Sequence, residues 1–225
     1  MSGGSFRSPF AALVWKEWRA SWWLLVLMAI GPTALYLGCA ALEANGWVTQ
    51  TTMVGLPAFA LWLLALCLGA GLFATESAQG TSAFQEERPV SRGTIWNAKL
   101  LMPILALAAG EILFFVAAGE FYVPAAWRYR LHIVLLMFLA MGFLCFASCV
   151  FCSVMLSRPV SAWAGGGVLW LASALLLQAV FDRLFQSGIS REESDPWLLW
   201  LSVLTLEAVG LLWLSRVAYV RWVHD

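Results

Sequence analysis

The sequence predicts an all-α membrane protein: six transmembrane helices preceded by a short interfacial amphipathic helix, in a single domain over residues 1–225. Three observations predict it. Apolar residues make up 62% of the chain and charged ones 12%, against roughly 45–50% and 25% in soluble domains. The apolar residues gather into six runs, each near the roughly 20 residues needed to cross about 30 Å of hydrocarbon. Fourteen tryptophans suit repeated membrane-water boundaries, where an indole buries its ring and keeps its N–H wet. Inside lipid each backbone polar group needs a partner within its own segment or in a closed barrel, and these runs lack barrel alternation, so each is helical. Thirteen Lys and Arg balance thirteen Asp and Glu, leaving no basic surplus to grip a nucleic-acid backbone.

The first element lies over residues 7–20. There Phe10, Leu13, Val14 and Trp18 alternate with Lys16, Glu17 and Arg19, a mixture suited to a short helix lying in the interface. The six spans follow over Trp22–Leu42, Met53–Thr75, Leu100–Ala118, Leu131–Leu156, Val160–Phe181 and Trp197–Ser215. The run from Trp22 is too long for a signal h-region and has no A-x-A site after it, so the first span is expected to stay attached. Pro32, flanked by Gly31 and Gly38, is expected to kink that span. Gly165, Gly166 and Gly167 in span five read as close helix packing in preference to a hinge. Cys39, Cys67, Cys145, Cys149 and Cys152 all fall within apolar runs, which speaks against a disulfide framework. Cys145, Cys149 and Cys152 share one face without a nearby His or acid, so they too read as packing residues, not a soft-metal site.

Six spans put both termini on one side. Arg7, Lys16, Arg19, Arg88, Arg92, Lys99, Arg158, Arg216 and Arg221 lie on that side, against Arg128, Arg130, Arg183 and Arg191 opposite. The positive-inside rule makes the terminal side cytoplasmic. The chain is thus expected in a cell membrane (inner or plasma), multi-pass. No internal repeat of the inverted-repeat kind links the two halves.

The connection from Glu76 to Lys99 is the longest on the cytoplasmic side. Gly80 permits a turn, Thr81 can cap a short helix through Phe84, Gln85 and Glu86, and Pro89 stops it. Ser91 then caps a new helix that carries Arg92 and Lys99 at the membrane edge and continues as span three, with Lys99 placed to snorkel. This run, E-x-x-x-G-T at Glu76, Gly80 and Thr81, then P-V-S-R at Pro89 to Arg92 and a lysine at Lys99, resembles the cytoplasmic signature of type 2 ABC transporter permeases. The W-K-E-W-R run from Trp15 to Arg19 is similar to the interfacial helix of that family.

The resemblance implies that Glu76, Gly80, Thr81, Phe84, Glu87, Pro89, Arg92 and Lys99 belong to a coupling segment that docks on a separate cytoplasmic ABC ATPase subunit. It also implies a second permease copy or a homologous permease, and export as the direction. This chain departs from the family at Gln85, Glu86, Glu87 and Arg88, where apolar residues are usual, which gives docking a more electrostatic character. ATP and Mg would be held by the partner. The only lysines, Lys16 and Lys99, follow no phosphate-binding G-x-x-x-x-G-K-[ST] loop, so no ATPase motif is intrinsic to the chain.

Enzyme signatures are also missing. There is no H-E-x-x-H pair and no G-x-S-x-G elbow, and the two histidines, His132 and His224, read as interfacial. Glu111 and Glu207 stand out instead. Each lies near mid-span, where a charge costs about 2.5–3.5 kcal/mol on insertion scales. Two readings stand level: the pair lines a cavity for a cationic or hydroxyl-bearing substrate or carries a proton, or each is protonated and hydrogen-bonded to a neighbouring helix. Gln178 in span five and the 182–196 loop are candidates for an outer lid or a solvated surface. The sequence therefore leaves three functions: an ATP-driven exporter subunit, a proton- or ion-coupled secondary transporter using Glu111 and Glu207, and a membrane anchor or assembly factor recruiting a cytoplasmic protein.

Overall fold

A computed structural model of the chain describes residues 8–79, 90–122, 131–186 and 196–222, and all of its regular structure is helical. In chain order the helices are α1 (Pro9–Glu43), α2 (Gln50–Gln79), α3 (Arg92–Tyr122), α4 (Leu131–Met155), α5 (Pro159–Gln186) and α6 (Pro196–Trp222). All six are long and apolar enough to cross a membrane. The protein is an all-α polytopic membrane protein.

The interfacial helix expected over residues 7–20 is not a separate element. Residues 9–43 form one 35-residue helix, about 52 Å long at 1.5 Å per residue, well beyond the hydrocarbon thickness. Between Trp18 and Trp22 stand only Arg19, Ala20 and Ser21, none of which stops a helix. The start is set instead by Ser8, whose hydroxyl accepts from the Ala11 N–H at 3.2 Å, with Pro9 at the first helical position. At the far end Gly46, with φ of 74°, turns the chain, and the Trp47 N–H reaches the Leu42 carbonyl at 3.0 Å.

Ser91 caps α3 as expected. Its hydroxyl accepts from the Thr94 N–H at 3.2 Å and pairs with the Thr94 hydroxyl at 2.7 Å. The helix then runs unbroken through Lys99 and the third span. Between α4 and α5 only Leu156, Ser157 and Arg158 intervene, so those two helices are antiparallel neighbours. α5 passes continuously through Gly165, Gly166 and Gly167, and the packing reading of that triplet is the one that fits.

The bundle is built around α4, which packs against α2, α3, α5 and α6, while α1 lies most extensively along α3. From Leu144 to Val150 every residue of α4 is buried. Small residues make the closest crossings. Gly69 of α2 and Gly166 of α5 both back onto Cys149, where an added Cβ would collide with its atoms. Cys149 therefore fills a slot between two helices, and all five cysteines are free thiols. α1 also runs through Pro32 without interruption. Proline has no N–H to offer the carbonyl four residues back, here that of Met28. That carbonyl lies directly against Gly110 of α3, which has no room for a Cβ. A backbone oxygen released by Pro32 and a glycine on the facing helix thus fix the α1–α3 contact.

Not all tryptophans sit at boundaries. Trp15, Trp22 and Trp23 near the start of α1 and Trp47 beyond its end are exposed. Trp62 and Trp170 instead meet inside the bundle with ring centroids 5.6 Å apart, and Trp62 also stacks on Phe138 at 5.6 Å.

Candidate functional site

The most built polar site lies at the end of the bundle where α1 and α3 start and α2 and α6 finish. Gly93 of α3 faces the Arg216 guanidinium, with 3.6 Å from an added Cβ to the nearest nitrogen, and Phe73 of α2 meets Tyr219 of α6 with ring centroids 4.8 Å apart. In their midst is Lys99, two turns into α3. Its residue is only 2% exposed, so it does not snorkel to the membrane edge. The ammonium donates to the Leu72 carbonyl at 3.1 Å, lies 3.7 Å from the Glu17 carboxylate and sits 5.5 Å from the Phe73 ring centroid. A charge this deep needs such compensation, since loss of one partner of a buried pair typically costs about 3–5 kcal/mol. Lys99 thereby fastens α1, α2 and α3 together.

Beside it opens a cavity of about 440 Å³. Its lining includes Lys16, Glu17 and Leu24 of α1, Leu68 and Leu72 of α2 and Lys99 of α3. On the other flank of α1, Phe10, Trp15 and Trp18 with Leu101 and Met102 enclose an apolar groove of about 490 Å³.

Of the residues assigned to the coupling segment, Gly80, Thr81, Phe84, Glu87 and Pro89 lie outside the described residues. Glu76 is in the last turns of α2, which extends to Gln79, and Arg92 is the first residue of α3 and half-buried. The segment is therefore framed by two helix ends, one of them carrying Lys99.

The two mid-span carboxyls are not brought together. Glu111 of α3 is 2% exposed and packs directly on Gly142 of α4, where an added Cβ would overlap the carboxyl. Neither of its oxygens has a hydrogen-bond partner among the described residues. Glu207 of α6 is half-buried and accepts a hydrogen bond from Ser173 of α5. Ala140, Leu144 and Ala147 pack toward Leu204 and Ala208 of α6, whereas Gly142 is turned about 160–200° from Ala140 and Leu144 at 100° per residue. α4 thus stands between the two carboxyls, which lie in two separate environments. Gln178 is exposed and donates to Asp182 on its own helix at 3.0 Å. No group of His, Cys, Asp and Glu able to hold a metal occurs among the described residues.

Sequence reasoning missed four participants. Glu17 was legible only as a charge in the W-K-E-W-R run, while Gly142, Gly110 and Ser173 carry no sequence signal of their own, because each acquires its role from a facing helix.

Fold and site define a class, that of six-span helical membrane proteins with a basic, internally cross-braced end. No protein-family model matches the chain, and no curated protein matches it in sequence.

Proposed function

We propose that the chain is the membrane-spanning subunit of an ATP-driven transporter of the type 2 ABC permease kind, working as an exporter in a cell membrane with its termini in the cytoplasm. A separate cytoplasmic ABC ATPase, holding ATP and Mg, would engage the segment between α2 and α3, and two permease subunits would form the pathway. The observation that supports it best is the Lys99 joint. A push on the 80–89 segment enters through the end of α2 and the start of α3. Lys99 ties those two helices to each other and to α1, so all three move as one body. The contact of Met28 with Gly110 continues that union of α1 and α3 deeper into the bundle. From Glu17 to Glu43, α1 extends about 39 Å beyond that joint, a lever long enough to cross the bilayer.

Purification of the intact chain in mild detergent tests this reading. An ATPase subunit should accompany it, and Glu87→Lys should release that subunit without lowering the amount of folded permease. Failure of any ATPase to co-purify, with none encoded beside the chain, defeats the proposal.

A proton-coupled transporter is the second reading, favoured by one observation: the Glu111 carboxyl is fully buried at mid-span with both oxygens unpartnered among the described residues. Transport unaltered by Glu111→Gln would remove that reading and leave the first intact.

A further inference from the structure

Pro32 and Pro57 fall at one level of the bundle. Counted from the Lys99 joint, Pro32 is fifteen residues beyond Glu17 on α1, Pro57 fifteen residues from Leu72 on α2, and Phe114 fifteen residues beyond Lys99 on α3, each about 22 Å along its axis. Both prolines are buried within continuous helices, with Gly31 and Gly55 close by in the chain. Neither can bond the carbonyl four residues back, so each helix lacks a rung there and bends more easily. The core changes at the same level. On the Lys99 side, Leu25 and Met28 of α1 and Leu61 and Ala65 of α2 belong to the large cluster that also holds Cys149 of α4. At and beyond the prolines, Tyr36 and Cys39 of α1, Met53 and Ala58 of α2 and Phe114 of α3 form a separate cluster, against which Phe138 of α4 packs.

We propose that residues 33–56, the hairpin made by the far end of α1, the Gly46 turn and the start of α2, form a gate that is hinged at Pro32 and Pro57 and closes the far end of the bundle over Glu111. Glu111 lies one turn short of Phe114 on α3, and its contact Gly142 lies one turn past Phe138 on α4. The rings of Tyr36, Phe114 and Phe138 thus stand between the carboxyl and the far end, with Tyr36 meeting Phe114 edge-on at 5.7 Å between centroids. Tyr36 is carried by the hairpin, so a swing at the two prolines lifts that ring and parts the cluster. The other halves of α1 and α2 do not follow. Lys99 ties them to α3, and the Met28 carbonyl rests on Gly110 one turn before Pro32. Motion is confined to the part beyond the prolines, as in hinged closures where a few residues absorb the change. A buried carboxyl with both oxygens unpartnered among the described residues gains hydrogen bonds from the water that an open gate admits. The gate is a property of the bundle and holds for any substrate or partner.

Two native thiols report on the gate. Cys39 lies in the hairpin and Cys149 in the large cluster, and both are buried, at 5% and 0% exposure. In the full chain in nanodiscs, alkylation by membrane-permeant N-ethylmaleimide and modification of Glu111 by dicyclohexylcarbodiimide can both be followed by peptide mass spectrometry. Cys39 should react ahead of Cys149 in the wild-type chain. Pro32→Ala combined with Pro57→Ala returns an N–H to each helix, so bending then breaks backbone hydrogen bonds, and reaction at Cys39 and Glu111 should slow about tenfold. Pro103→Ala, on the Lys99 side of α3, should slow neither. Phe114→Ala removes a ring of the cover without touching the hinges and should speed both. Cys149 should stay slow throughout, the sign of an intact fold. Wild-type Cys39 no faster than Cys149, equal slowing by Pro103→Ala, or unslowed reaction at Cys39 or Glu111 in the double variant would overturn the proposal. Should the double variant unmask Cys149, Phe114→Ala decides, and no acceleration there overturns the gate.

Discussion

Lys99 and Glu111 sit on the same helix, α3, and are equally buried at 2% exposure, yet their surroundings are opposite. Lys99 lies where α1, α2 and α3 converge near the bundle end and has a carbonyl, a carboxylate and an aromatic face around its ammonium. Glu111 lies twelve residues on, about 18 Å along the axis, and meets a glycine backbone. The difference is one of depth. Near the end of the bundle, α1 carries the polar side chain that closes on the charge, Glu17, and the Leu72 carbonyl of α2 accepts a hydrogen bond from the ammonium. At mid-span the neighbours are apolar, so a carboxyl is accommodated by space, which Gly142 provides by lacking a side chain.

If that contrast is right, removing a partner should matter far more at Lys99 than at Glu111. Glu17→Ala should produce the largest effect, about 3–5 kcal/mol of lost stability, seen as a lowered Tm in detergent. The double variant Glu17→Leu with Lys99→Met should regain most of it. A double variant as unstable as Glu17→Ala would show that the pair is not what holds α1 to α3. Gly142→Ala should come next, at about 1–3 kcal/mol from overpacking, and its cost should vanish in a Glu111→Ala background, where the carboxyl is gone. Additive costs in that pair would place Glu111 away from Gly142.

Smaller effects separate the two carboxyls from each other. Ser173→Ala should cost about 1 kcal/mol, the worth of one hydrogen bond, and a Glu207→Gln background should reduce that loss. Glu111→Gln should be the mildest, under about 1 kcal/mol, since shape is kept and no partner is lost. Should thermal unfolding instead place Glu111→Gln beside Glu17→Ala, Glu111 would have a partner of comparable strength.

How much of this was legible in the sequence depends on the range of the interaction. The six spans were legible because apolar run length answers to bilayer thickness. The Ser91 cap was legible too, since it acts on an N–H three residues away. The separate interfacial helix was not borne out because an amphipathic pattern says which face is wet, and only a breaker residue ends a helix; none lies between Trp18 and Trp22. The snorkelling expected of Lys99 failed for a tertiary reason: Glu17 lies 82 positions earlier in the chain, and no local pattern announces that α1 reaches back far enough to meet it.

By itself the sequence determined the class of the protein and the number of its spans, because hydrocarbon thickness and backbone hydrogen bonding act on each segment alone. Only the tertiary structure decided that Lys99 braces three helices, that Glu111 rests on Gly142 and that Glu207 turns to Ser173 on another side of α4. Those pairings depend on how each helix is rotated and crossed against its neighbours. Rotation and crossing are set by the fit of small residues such as Gly69, Gly110 and Gly166 into facing helices, which no single segment contains.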